Sequence, residues 1–92
     1  MPKIKWTAEA VSDLKSLEKV FAKRIVNKIT WFGDNFANLN LEMLSNELNN
    51  LYKLRVGNYR VIYSFKNDIL QIEWIGHRKD VYKKIATKLT SS

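Results

Sequence analysis

The chain has 92 residues, 46% of them hydrophobic and 27% charged, a balance that points to a folded globular chain rather than a disordered or membranous one. A chain this short commits its apolar residues to one small core, so a single domain over 1–92 is expected. With no cysteine and one histidine, disulfides and thiolate metal sites are excluded and a zinc site is disfavoured.

The net charge of +7 is unevenly spread. Residues 1–50 hold seven basic and six acidic side chains, whereas residues 51–92 hold nine and three. A cationic half of this kind fits a nucleic acid, and equally an acidic protein segment. The first residues carry charge but no apolar signal segment, and no run reaches the length of a membrane span. A cytoplasmic protein with no membrane partner is therefore expected.

In chain order, Lys3 to Trp6 alternates as a short strand. Thr7 then suits a helix N-cap, with Glu9 in the first turn where the helix dipole favours an acid. Ala10, Val11, Leu14 and Leu17 recur at helical spacing, and a second stripe follows at Val20, Phe21, Ile25, Ile29 and Phe32, ended by Gly33-Asp34-Asn35. The pattern predicts a helix hairpin. No Gly or Pro marks residues 17–20, which either break two helices or join them. Residues 37–50 place Leu39, Leu41, Leu44 and Leu48 among five asparagines, reading as a loop with one helical turn or a third short helix, with its leucines covering an edge of the core.

Leu51 to Phe65 reads as a hairpin. Gly57 at the first position of a two-residue loop supplies the positive φ of a type II′ turn, which pairs Val56 with Tyr59. Tyr52, Leu54, Val56, Tyr59, Val61, Tyr63 and Phe65 then share a core face, and Lys53, Arg55, Arg60, Ile62 and Ser64 share the other. Arg55 falls directly across from Arg60, a repulsive pair unless something negative lies over it. A polyanion would serve; an ordinary wet sheet face also alternates in this way. A second turn at Asn67-Asp68 pairs Lys66 with Ile69. That register puts Leu70, Ile72 and Trp74 on the core face and, by the same parity, brings His77 out on the basic side with Arg60, just beyond Gly76. Val81, Ile85 and Leu89 are spaced for a final helix bearing Lys83, Lys84 and Lys88. Trp6, Trp31 and Trp74 read as core anchors.

Lys53, Arg55, Arg60, His77 and Arg78 thus converge on, or at the rim of, one face, with Tyr82 a turn further on. Internal attack of a 2′-hydroxyl on RNA needs cations for the phosphorane, a base for the hydroxyl and an acid for the leaving oxygen. Arginines supply the first. His77 is the only side chain here of the type that ordinarily changes charge near neutrality, although a histidine at a strand end is commonly structural. Tyr82 can stack a base, pass a proton, or simply pack on the core. Arg55, Lys79 and Lys83 are candidate phosphate contacts.

Tyr52-Lys-Leu-Arg-Val-Gly-Asn-Tyr-Arg-Val-Ile-Tyr63, with Ile75-Gly-His-Arg-Lys-Asp-Val-Tyr82 one strand later, resembles the RelE branch of the RelE/ParE toxin superfamily over nearly the whole chain. The resemblance implies an α+β fold in which an N-terminal strand and a helix hairpin pack on a twisted antiparallel sheet, with a basic C-terminal helix. It implies a ribosome-dependent mRNA endoribonuclease, the toxin of a toxin-antitoxin pair. Such a toxin is monomeric alone and forms a hetero-oligomer with a cognate antitoxin that holds it inactive. Cleavage leaves a 2′,3′-cyclic phosphate and a 5′-hydroxyl, with no metal or cofactor.

By position, Arg60 matches the family's contact to the scissile phosphate, Lys53 the lysine of its Lys-Leu-Arg run, Arg78 the arginine that stabilises the transition state, and Tyr82 its C-terminal tyrosine. His77 falls where some members carry lysine and others histidine. Two departures stand out: Leu51 lies where the best-known members have a second lysine, and the Arg78-to-Tyr82 interval is shorter than theirs. The rival reading is a ParE-like toxin that poisons DNA gyrase without cutting RNA; a third is an inactive toxin-derived binding module.

Overall fold

The structure, a computed structural model, describes residues 2–45 and 48–90, apart from the side chains of residues 45, 48, 49 and 87–90. The expected core roles of Leu48 and Leu89, and the charge placed at Lys88, lie outside the described side chains.

The elements run β1 (Lys3–Trp6), α1 (Ala8–Lys15), α2 (Lys19–Asp34), a 3-10 turn at Phe36–Asn38, β2 (Glu42–Ser45), β3 (Leu48–Val56), β4 (Tyr59–Lys66), β5 (Ile69–His77) and α3 (Val81–Thr90). The five strands form one sheet in the order β1-β5-β4-β3-β2. β1 is parallel to β5, and every other neighbouring pair is antiparallel. The α+β architecture is the expected one, enlarged by a strand. Residues 42–45, read from the sequence as irregular or helical, extend the sheet because they find the edge of β3, a partner their asparagine-rich flanks do not announce.

Local chemistry accounts for much of this. The Thr7 hydroxyl accepts the Ala10 N–H at 3.0 Å and so caps α1. The two helices are separate: the Ser16 hydroxyl donates to the Asp13 carbonyl at 2.7 Å at the end of α1, and Leu17 turns toward the core. Gly57 has φ 59° while Asn58 does not share the positive region, consistent with the type II′ turn, and Asn67 and Asp68 both take positive φ. The registers that follow, Val56 facing Tyr59 and Lys66 facing Ile69, are those the turn residues predict.

Ile25, Ile29 and Phe32 of α2 bury against Val61, Tyr63, Leu70 and Ile72 on one sheet face. Phe32 meets Tyr63 edge-on at 5.2 Å. Val20, placed in the inward stripe by its spacing, is 60% exposed, and Trp31 is 45% exposed, so neither anchors the core. Trp6 does pack against it.

Two findings correct the sequence register. First, β5 carries a bulge: Tyr63 faces Ile72, but Ile62 faces Trp74, leaving Glu73 as the extra residue. Its carboxylate accepts from Ser64 and Gln71 at 2.8 Å each, and its carbonyl accepts the Thr7 hydroxyl at 2.9 Å. Everything beyond it changes face. Trp74 leaves the main core, Ile75 enters it, and His77 lies across from Tyr59 instead of emerging beside Arg60. Second, the face that alternation leaves wet is partly covered. Val81 and Ile85 of α3 bury Ile62 in a second small core edged by Leu44, Leu51 and Trp74. α3 begins against Gly76, where a Cβ would stand 3.4 Å from that of Val81, in van der Waals contact.

Candidate functional site

Across β2, β3, β4 and β5 the side chains Glu42, Lys53, Ile62 and Trp74 form one row on the α3 side of the sheet. Arg55, Arg60 and Gly76 form the next. α3 covers Ile62; at its border Arg55 is exposed, whereas Arg60 is half-buried and the Lys53 side chain is 19% exposed. The Arg55–Arg60 pairing is thus real, and the negative group it calls for is internal. Glu42 takes Arg55 in two hydrogen bonds, Nε at 3.2 Å and Nη2 at 2.7 Å, and stands 3.2 Å from Lys53 Nζ. Arg55 holds the Glu42 carboxyl below the usual carboxylate range, partial desolvation opposing it and Lys53 adding to it. The same carboxylate raises the Arg55 guanidinium.

Arg60 is half-buried and bends toward its own hairpin turn, donating to the carbonyls of Gly57 at 2.9 Å and Tyr59 at 2.8 Å. Arg78 has an exposed side chain, and its backbone N–H donates to the Asn58 carbonyl at 2.8 Å, which fixes it beside that turn. Tyr82 is 40% exposed, not packed in the core, and its ring centroid lies 5.9 Å from Lys53 Nζ. Lys79 and Lys83 are exposed along the approach to and the first turns of α3.

His77 departs from the group. Its ring meets Tyr59 edge-on at 5.8 Å, and its Nδ1 accepts the Lys79 N–H at 3.2 Å. It lines a separate cavity with Ser16, Leu17, Asp80 and Lys84. Nearby, Asp13 pairs with Lys84 and accepts the Ile75 N–H.

The structure therefore brings together Lys53, Arg55, Arg60 and Tyr82, sets Arg78 at the rim, and turns His77 to the other side. The residue that sequence reasoning passed over is Glu42. Only its pairing with β3 reveals it, and nothing in an asparagine-rich stretch signals that strand. The arrangement can bind an anion with several donors in a fixed fork and can exchange a proton at an accessible phenol. Among the described residues no group of three His, Cys, Asp or Glu is placed to hold a metal ion, and no helix is long and apolar enough to cross a membrane.

Residues 4–82 match the family model described as the ParE toxin of the type II toxin-antitoxin system parDE. No curated protein matches. Solved structures do. A RelB-RelE antitoxin-toxin complex from Methanococcus jannaschii aligns with TM-score 0.69 and 29% identity over 87% of this chain and 96% of that one. The isolated E. coli RelE toxin aligns with TM-score 0.70 over 97% and 99%, at 13% identity. The chromosomal ParDE system of P. aeruginosa aligns with TM-score 0.67 over 84% and 96%, at 19%. At 13% and 19% identity these last two speak for the fold alone.

Proposed function

The chain belongs to the RelE/ParE superfamily of toxins from type II toxin-antitoxin systems, with a RelE-like fold, and we propose that it is a ribosome-dependent mRNA endoribonuclease. It acts in the cytoplasm to inhibit translation, as a monomer when free and in a hetero-oligomer with its cognate antitoxin when held inactive. The observation that carries this reading is the gathering of Lys53, Arg55 and Arg60 on one sheet face, with Tyr82 5.9 Å from Lys53.

In the proposed reaction the 2′-oxygen attacks the adjacent phosphorus and the bond to the 5′-oxygen breaks, giving a 2′,3′-cyclic phosphate and a 5′-hydroxyl. Negative charge grows on the non-bridging oxygens, where Arg60 and Arg78 act as preorganised donors. An incoming phosphate competes with Glu42 for Arg55 and Lys53. Glu42 itself, held below the usual carboxylate range, is a weak proton acceptor, so its part is to aim the two cations. Proton transfer falls to Tyr82 or a lysine, since His77 is engaged with Tyr59 and Lys79.

The match to the ParE toxin model favours a second reading, a gyrase poison that cuts nothing. Primer extension on message after induction separates them. Cleavage within the message that disappears with Arg60→Ala supports the nuclease; intact message together with inhibited supercoiling by purified gyrase supports the poison. The antitoxin is proposed to be encoded beside the toxin and to co-purify with it, loosening with salt to the extent that rim charges hold it.

A further inference from the structure

Building on the RNA-cleaving reading, we infer that the flank of α2 around Trp31, where it borders β3, is a single-stranded RNA subsite, in which the indole stacks a base while Arg24, Lys28 and Arg55 hold the flanking phosphates. Arg24, Asn27, Lys28 and Trp31 recur at helical spacing along one flank of α2, beside the buried stripe of Ile25, Ile29 and Phe32. The core has no use for Trp31. The indole is 45% exposed, and Lys28 Nζ stands 4.3 Å from its ring centroid. α2 carries Lys19, Lys23, Arg24 and Lys28 against one acid, Asp34, at its last residue.

Two adjoining cavities share Lys28, Trp31 and Arg55. One, of about 490 Å³, runs past Arg24 to Gly57; the other, of about 250 Å³, runs past Glu42 and Lys53 to Tyr63. Arg55 therefore joins the indole to the cationic cluster, and a strand of RNA bound at Lys53 and Arg60 has a charged path onto Trp31. A further observation comes from the inner cavity. The hydroxyl of Tyr63, a residue 1% exposed, has no hydrogen-bond partner among the described residues, a costly state that a polar group entering there would relieve. Among the described residues, four cations line the two cavities against one carboxylate, that of Glu42. An aromatic face interleaved with cations is the arrangement that binds single strands without reading sequence. An acidic peptide would share the charge preference but gain nothing specific from a stacking ring.

The test is fluorescence anisotropy with a labelled single-stranded oligoribonucleotide of about ten nucleotides, read beside cleavage of ribosome-bound message. Trp31→Ala should weaken binding about tenfold, Trp31→Tyr should keep most of it, and Lys28→Gln should weaken it while flattening its salt dependence. Because Trp31 lies outside the core, the thermal melt should barely move. Equal affinity for wild type and Trp31→Ala overturns the subsite, as does failure of the wild type to bind the oligonucleotide. Loss of antitoxin co-purification with unchanged RNA affinity also overturns it, assigning the face to a protein partner. If Trp31→Ala binds RNA more weakly although the wild type cuts no message, the subsite stands and the nuclease reading falls.

Discussion

Glu42 and Arg55 meet in a two-point contact, with Nε 3.2 Å from one carboxylate oxygen and Nη2 2.7 Å from the other. The pair joins β2 to β3 beyond the last residue of their ladder, because β2 pairs only as far as Lys53. It also puts a negative charge against one of two arginines that directly face each other, while the other, Arg60, turns to its own hairpin carbonyls.

Its contribution to stability should depend on pH in one direction. Glu42 titrates below its ordinary value of 4.5 in the fold. The stabilisation is therefore complete above that unfolded value and is lost as pH falls through the lower folded one. Wild type should melt slightly above Glu42→Gln at neutral pH, and the difference should close in acid. Because both side chains are largely exposed, the gap will be small. Melting curves from pH 7 down to about pH 3 measure it, and a gap that widens in acid would contradict the assignment.

Arg60→Ala and Arg78→Ala should each lower single-turnover cleavage of ribosome-bound message by about 10² to 10³, as expected for the loss of one preorganised donor. Arg78→Ala should leave the melt unchanged, since its side chain is exposed. Arg60→Ala should also loosen the hairpin turn, whose carbonyls it bonds. Circular dichroism beside the kinetics separates the two effects. Wild-type rates in both variants would remove the proposed mechanism.

His77→Gln should cleave at nearly the wild-type rate with the same pH profile, because the bulge turns His77 to Tyr59 and away from Arg60. A general acid would instead show a loss of about 10² and the disappearance of one limb of the profile. Single-turnover rates across pH decide the matter.

Ile62→Ala should destabilise the protein by about 2–5 kcal/mol, the usual cost of an unfilled cavity at a buried branched residue. Ile62 is fully buried beneath Val81 and Ile85. The loss should fall most heavily on α3, so hydrogen exchange should quicken there before it does in β4. Guanidinium unfolding gives the magnitude. A cost like that of a surface site would mean α3 does not rest on the sheet in solution.

The local signals in this chain act over a few residues, and those were legible. Gly57-Asn58 and Asn67-Asp68 dictate their turns through backbone conformation alone, and two-residue loops leave no freedom in the pairing that follows. Thr7 caps α1 through its own hydroxyl. Val81 and Ile85 show the stripe of α3 without revealing what it covers. The same turns place Lys53, Arg55 and Arg60 on one face, so most of the candidate site could be assembled from the sequence.

What the tertiary structure decided depends on groups far apart in the chain. The bulge at Glu73 is held by Thr7, Ser64 and Gln71. Because Trp74 and Ile75 are both apolar, the alternation reads equally well with or without it, and the face of His77 could not be settled locally. Glu42 meets Lys53 and Arg55 only because β2 adds to the sheet edge. Helical spacing places Trp31 near the inward stripe, yet Phe32 takes the place against Tyr63 and leaves the indole outside. A side-chain period specifies which residues share a face, whereas which face is covered, and by what, is settled only when distant segments compete for the same surface.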